Sequence, residues 1–153
     1  MVHVFALFRK NREPMDYIDG KPVYPNRKTR KALKEVEKYE RGERELETID
    51  LEKVHSRDVK PTYDIVITTG FRKDLKKAEK RGLDLAELWN VVDVLADGKP
   101  LPDRYHDYKL TGVYEGYREC YIRPNWLLIY ELLDREMILH LIRTGTHSDL
   151  FDE

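Results

Sequence analysis

Lys60-Pro61-Thr62-Tyr63-Asp64-Ile65-Val66-Ile67-Thr68-Thr69-Gly70 is the stretch on which the fold turns. A charge-dense run over residues 28–60 ends at the Lys60-Pro61 step, and a β-branched run follows. Tyr63 to Thr69 reads as a strand, punctuated by Gly70. Phe71, Leu75 and Ala78 then recur at helical spacing, with Lys73, Lys76, Lys77 and Lys80 on other faces. Gly82 ends this helix, which runs from Phe71 to Arg81. Asp84 caps a second helix, whose apolar stripe is Leu85, Leu88, Val91, Val92 and Leu95. Asp97-Gly98-Lys99-Pro100 stops it.

Strands dominate the rest. Lys109 to Gly112 is short, and Glu115-Gly116 is a turn candidate before a strand over Tyr117 to Ile122. Arg123-Pro124-Asn125 makes a turn. Trp126 to Leu133 and Glu136 to Arg143 read as a hairpin joined by a two-residue loop, Asp134-Arg135, which lacks the usual glycine. Strand, helix, helix, then strands predicts an α+β fold, an antiparallel meander packed on a helical pair.

Upstream, Val2 to Phe8 holds a possible short strand. Asn26 can cap a helix from Arg27 to about Arg41, with Ala32, Leu33, Val36 and Tyr39 as its apolar face and Gly42 at its end. Leu46, Ile49 and Leu51 are scattered apolar anchors. That is too little apolar surface for an independent core. Residues 1–60 therefore read as a helical and extended appendage to a domain over residues 61–153, laid on a partner surface.

Of the 153 residues, 41% are hydrophobic and 37% charged, enough for one core and a wet surface. No apolar run approaches the roughly 20 residues of a membrane span. The apolar start, Met1 to Phe8, is interrupted by His3 and followed by Arg9 and Lys10, the reverse of a signal peptide. A cytoplasmic protein is expected. The lone Cys120 excludes a disulfide within the chain and reads as a buried spectator. Residues 1–60 carry 15 basic and 12 acidic side chains, net +3; residues 61–153 carry 13 and 17, net −4. Any RNA site must then be a local basic patch on a mildly acidic domain.

From Phe71 onward the sequence resembles YafQ-type toxins of the RelE/ParE superfamily. The matching pieces are Phe71-Arg72-Lys73-Asp74-Leu75-Lys76-Lys77-Ala78, Pro100-Leu101-Pro102, Leu110-Thr111-Gly112 and Gly116-Tyr117-Arg118-Glu119. Pro124-Asn125-Trp126-Leu127-Leu128-Ile129-Tyr130 and the closing Arg143-Thr144-Gly145-Thr146-His147-Ser148-Asp149-Leu150-Phe151 complete them. The closing run is the most specific, and the pieces together cover about three-fifths of the chain. The resemblance implies a curved antiparallel sheet with two helices on one face. It further implies cleavage of mRNA in the ribosomal A site, without a metal or cofactor, and a small antitoxin that wraps the toxin. Pro25 to Glu37 is similar, over a short stretch, to the neutralising tail of RelB/DinJ antitoxins, without a DNA-binding head. Leu33 and Val36 would make the neutralising contact.

The resemblance assigns candidate roles. RNA self-cleavage needs a base for the 2′-hydroxyl, an acid for the leaving oxygen and positive charge for the phosphorane. His147 suits the acid or base role, since an unperturbed imidazole titrates near neutrality. Outside the motif it would read as a surface residue. Arg118 and Arg143 could converge on one phosphate, or instead form structural salt bridges to Glu119 or Glu131. Trp126 and Phe151 could stack on bases or fix loops, and core packing is an equal reading for Trp126. The chain departs from the family at Tyr121 and Tyr108, where histidines are expected, and at Asn125, where an aspartate is expected; His106 lies two residues before Tyr108. Asn cannot act as a base, and Tyr, with a pKa of about 10, is a poor one. RelE-like relatives use tyrosines for cleavage, so Tyr121 or Tyr108 could substitute. Arg72, Lys73, Lys76, Lys77, Lys80 and Arg81 match the helix that faces ribosomal RNA in the family, or form a solvated face. His3, His55 and His140 read as structural or exposed. No group has metal-ligand spacing and there is no glycine-rich phosphate loop. A catalytically silent RelE-like binding module is the alternative function.

Overall fold

A computed structural model of the chain describes residues 13–152. The expected strand over Val2 to Phe8, and His3, lie outside them. Helix α1, Arg27–Glu40, begins where Asn26 accepts a hydrogen bond from the Thr29 N–H, and Gly42 follows its last turn with φ +73°. Helix α3, Thr69–Lys80, begins earlier than expected because Thr68 leaves the strand to cap the Phe71 N–H. Helix α4, Leu85–Ala96, is capped by Asp84 as predicted. Short helices α2, Leu51–Val54, and α5, His147–Leu150, complete the α-helices among the described residues, and 3₁₀ turns span Asp103–Tyr105 and Gly112–Tyr114.

The main sheet has six strands: β3 (Glu47–Ile49), β4 (Asp64–Ile67), β5 (Tyr108–Lys109), β6 (Arg118–Arg123), β7 (Trp126–Leu133) and β8 (Ile138–Gly145). Their order is β3-β4-β8-β7-β6-β5. It is antiparallel except for β4, which lies parallel to β8, with Ile65 beside Leu139. The meander expectation missed this pairing, because strand direction across a helical crossover is not written in either strand. The β7–β8 connection is also longer than expected. It runs over residues 134–137, and Met137 takes the positive φ, +55°, that a glycine usually supplies. A small second sheet joins β1 (Asp16–Ile18), β2 (Lys21–Pro25) and β9 (Phe151–Asp152), with Tyr24 beside Asp152 and Pro25 beside Phe151.

Both faces of the main sheet are covered. On one, α3 and α4 bury Phe71, Leu75, Leu88 and Val92 against Leu128, Tyr130, Leu139 and Leu141. On the other, Ala32, Leu33 and Val36 of α1 and Met15 pack on Leu127, Ile129, Ile142, Leu150 and Phe151. This is why β7 opens on five consecutive apolar and aromatic residues, Trp126 to Tyr130, rather than alternating. Residues 13–60 contribute to both cores, since Leu51 sits with the α3–α4 side. Leu33 and Val36 are fully buried, while Arg27, Lys31 and Lys34 are exposed. Gly70 lets the helices approach: a Cβ there would lie 3.2 Å from Arg143 Cδ and 3.5 Å from Ala32 Cβ. Glu35 accepts from the N–H and hydroxyl of Thr69 at 2.8 and 2.9 Å, at the positive end of α3. Among the described residues, no helix is long and apolar enough to cross a membrane.

Candidate active site

The closing turn is built by its own side chains. Thr146 Oγ1 accepts from the Asp149 N–H at 3.2 Å, and Asp149 Oδ2 accepts from the Thr146 N–H at 2.9 Å, a reciprocal cap for α5. Only glycine fits at 145, where a Cβ would lie 2.8 Å from Asp149. Arg81, with hydrogen bonds of 2.6 and 3.0 Å, holds the Asp149 carboxyl well below the usual carboxylate range; Lys77 at 3.0 Å assists. Two cations of the expected RNA-facing helix are therefore tied to the closing motif. Arg72 is tied to Glu47. Lys73, Lys76 and Lys80 are exposed.

The turn delivers His147 to Tyr121 of β6. The Tyr121 hydroxyl and His147 Nε2 lie 3.3 Å apart. Phe151 flanks the His147 ring, with centroids 5.7 Å apart, and His106 meets the far side of Tyr121 at 6.1 Å edge to face. Burial, with Glu119 nearby, raises the Tyr121 pKa, so the phenol keeps its proton at neutral pH. A proton donor and an imidazole thus share one partly open cluster, which suits proton transfer to and from an RNA backbone. Phe151 is buried, so it orients His147 rather than stacking on a base.

Tyr108 is engaged by the N-terminal segment. Its hydroxyl lies 2.6 Å from Asp16 Oδ2 and 2.9 Å from Glu119 Oε2. Burial is the main reason the Glu119 pKa rises to about 8, so at neutral pH this carboxyl is largely protonated. The Tyr108 hydroxyl thus bridges the two carboxyls, while the other oxygen of Glu119 is buried without a hydrogen-bond partner. Burial beside these carboxyls pushes Tyr108 far above the ordinary phenol range.

The expected convergence of Arg118 and Arg143 does not occur. Arg118 donates to Asp107 at 3.0 and 3.3 Å and to the Tyr130 hydroxyl at 3.2 Å. Arg143 is buried and donates to both oxygens of Asp74 at 2.7 and 2.8 Å, and to Thr29 Oγ1 at 2.9 Å. The two arginines share no partner, and the partners are not the expected Glu119 and Glu131. Glu131 instead faces His140. A buried guanidinium takes the carboxylate that neighbouring elements bring, and α3 brings Asp74. Its signal was present: Asp74 sits at the spacing of Phe71, Leu75 and Ala78, on the helix's inner face. Asp16 offered no such signal. Trp126 is also buried, its indole N–H donating to Thr144 Oγ1 at 2.9 Å, so it fixes the closing strand and cannot stack on a base here. Asn125 is exposed, beside a small cavity that Arg81 and Asp149 also line.

The N-terminal segment reaches this site at several points. The β2–β9 pairing sets Pro25 against Phe151. Asn26 and Thr29 donate side-chain hydrogen bonds to the Asp149 and Leu150 carbonyls at 2.8 and 2.7 Å. Between α1 and α3 lies a cavity of about 350 Å³ whose lining includes Arg27, Lys28, Lys31, Lys73 and Lys77, with Glu35 and Asp74 as its acidic members. The charge sums of the two parts therefore do not describe their contact, since two basic helices adjoin. Elsewhere Arg57 of the N-terminal segment pairs with Asp93 of α4 and with Asp97 just after it.

Comparison with known proteins places these features. Residues 63–152 match the family model of a bacterial toxin of type II toxin-antitoxin systems, YafQ. The mRNA interferase toxin YafQ of Escherichia coli strain K12 is 40% identical over 89 residues, 58% of this chain and 95% of that protein. A putative toxin YafQ of Haemophilus influenzae is 30% identical over 83 residues, 51% of this chain and 81% of that protein. The crystal structure of the E. coli DinJ–YafQ toxin-antitoxin complex contains a chain that aligns with a TM-score of 0.55 and 39% identity, covering 60% of this chain and 99% of that one.

Proposed function

This chain belongs to the family of bacterial YafQ toxins of type II toxin-antitoxin systems, and from that premise we propose that it is an mRNA endoribonuclease held inactive by its own N-terminal segment. The observation that carries the reading is the reach of that segment. Asp16 takes the Tyr108 hydroxyl, Thr29 takes an Arg143 N–H, and β2 pairs with the strand that begins at Phe151. These are positions where the family resemblance puts cleavage residues. The DinJ–YafQ complex has a separate antitoxin; here residues 13–60 occupy the toxin domain in cis.

The proposed substrate is mRNA on the ribosome. His147 and Tyr121 form the acid–base pair, 3.3 Å apart. One removes the 2′-hydroxyl proton, and the hydroxyl attacks the adjacent phosphate. The other protonates the departing 5′-oxygen, leaving a 2′,3′-cyclic phosphate. Lys73, Lys76 and Lys80 hold RNA phosphates. The reaction needs no metal ion, so cleavage survives chelator.

The test compares translation inhibition and mRNA cleavage by the full chain and by a chain starting at Pro61. Strong cleavage by the shorter chain alone supports the reading. A second reading, a silent binding module, is favoured by one observation: Arg118 and Arg143 are both occupied by carboxylates. A folded shorter chain that binds ribosomes without cutting would establish it instead.

A further inference from the structure

Glu40, Glu131 and His140 come from α1, β7 and β8, ninety or more residues apart for the first against the others. Each turns one ligand atom inward, and these atoms all lie within 4.8 Å of one another. His140 is fully buried, yet neither ring nitrogen has a hydrogen-bond partner. Both Glu40 oxygens and Glu131 Oε1 are likewise buried without a hydrogen-bond partner. Buried polar atoms are rarely left so, and two facing carboxyls repel unless a proton or a cation lies between them. We propose that these three residues hold a divalent cation of the zinc class, which pins α1 to the sheet.

The geometry suits such an ion. His140 Nδ1 and Glu131 Oε1 are 3.4 Å apart. A tetrahedral ion with bonds of about 2.1 Å has ligand–ligand edges of about 3.4 Å. One imidazole and two carboxylates balance the ion's charge and leave a fourth position for water. The Tyr117 hydroxyl, also buried without a partner, feels both carboxyls and can bond a ligand oxygen or that water. Tyr39 packs edge-on against the His140 ring at 4.9 Å and fixes its orientation. An open cavity of about 560 Å³, bordered by Tyr39, Arg44, Glu45 and Glu136, reaches Glu40 and gives a cation a way in.

Glu40 lies outside residues 63–152, so the set is not carried over from the family match. It also lies apart from the His147 cluster, with which it shares no residue. Because one ligand sits on the segment and two on the sheet, binding the ion and docking α1 are linked. The inference concerns docking alone, and its test does not depend on cleavage.

The test uses the full chain, stripped with chelator and titrated with Zn²⁺ by calorimetry, with the melting temperature followed in parallel. One equivalent should bind, raise Tm and protect residues 26–41 from protease. Losing an outer-shell partner of a metal commonly weakens binding 10–100-fold, so Glu40→Gln, which removes a ligand, should weaken it at least about tenfold. Glu40 is half-buried at the edge of α1, so this variant keeps the core intact; Glu131→Gln is the second variant. His147→Ala should bind Zn²⁺ as the parent does. Absence of stoichiometric binding, with Tm indifferent to Zn²⁺, overturns the proposal in favour of a proton shared by the carboxyls. Unchanged affinity in both Gln variants, or loss in His147→Ala, overturns it as well.

Discussion

The Tyr108 hydroxyl donates to Asp16 at 2.6 Å, so a side chain of the N-terminal segment holds a phenol of the toxin fold. The partners are 92 residues apart in sequence. If this bond helps keep the segment down, removing it should be visible as activity. A charge-assisted hydrogen bond contributes about 1.5–3 kcal/mol. Asp16→Ala should therefore raise the uncovered population, and with it mRNA cleavage by the full chain, by about 10–100-fold. Single-turnover cleavage no faster than the parent's would remove Asp16 from the inhibitory contact.

Leu33 and Val36 are fully buried between α1 and the sheet. Replacing both with Asp puts charges where no partner waits, a change that costs several kcal/mol unless the helix lifts away. The double variant should expose residues 26–41 to protease and inhibit translation. Retained protection means that α1 docks by other contacts.

His147→Ala, made in a chain starting at Pro61, should lower cleavage by about 10²-fold or more, the usual worth of an acid or base. The 3.3 Å contact with Tyr121 is lost with it, so Tyr121→Phe should fall too but add little in the double variant. Additive losses would mean that the two do not act as one pair.

Arg143 is buried against Asp74 and donates to both of its carboxylate oxygens. Removing one partner of a buried pair costs about 3–5 kcal/mol because the other charge is stranded. Asp74→Ala should destabilise the chain by that amount in urea denaturation. A loss near zero would show Arg143 free to move to another anion, such as an RNA phosphate.

Glu119 has a pKa of about 8 in the fold, mainly through burial, against about 4.3 in an unfolded chain. Between those values the folded state binds more protons, so stability falls as pH rises through that window. Glu119→Gln has no proton to lose. The drop in Tm from pH 5 to pH 9 should be smaller in the variant than in the parent, and equal drops would place the titration elsewhere.

The cation site and the arginine partners show where a linear reading stops. Asn26, Thr68 and Asp84 accept from backbone N–H groups within three residues, so those helix starts are local facts, and two of the three were legible directly. Thr68 was hidden because a β-branched threonine suits both a strand and a cap. For Trp126 and Phe151 the sequence left base stacking, loop fixing and, for Trp126, core packing open, because their burial depends on α1, α3 and the far strands closing over them.

By itself the sequence determined where α1, α3 and α4 lie and which side chains cap α1 and α4, because periodicity and capping operate over a few neighbouring residues. Only the tertiary structure decided that β4 lies parallel to β8, that Arg143 belongs to Asp74 and Tyr108 to Asp16, and that Glu40 meets Glu131 and His140. Those outcomes depend on which surfaces pack together. Each buried charge or polar atom takes the partner that packing carries to it, and no local pattern along the chain records that partner.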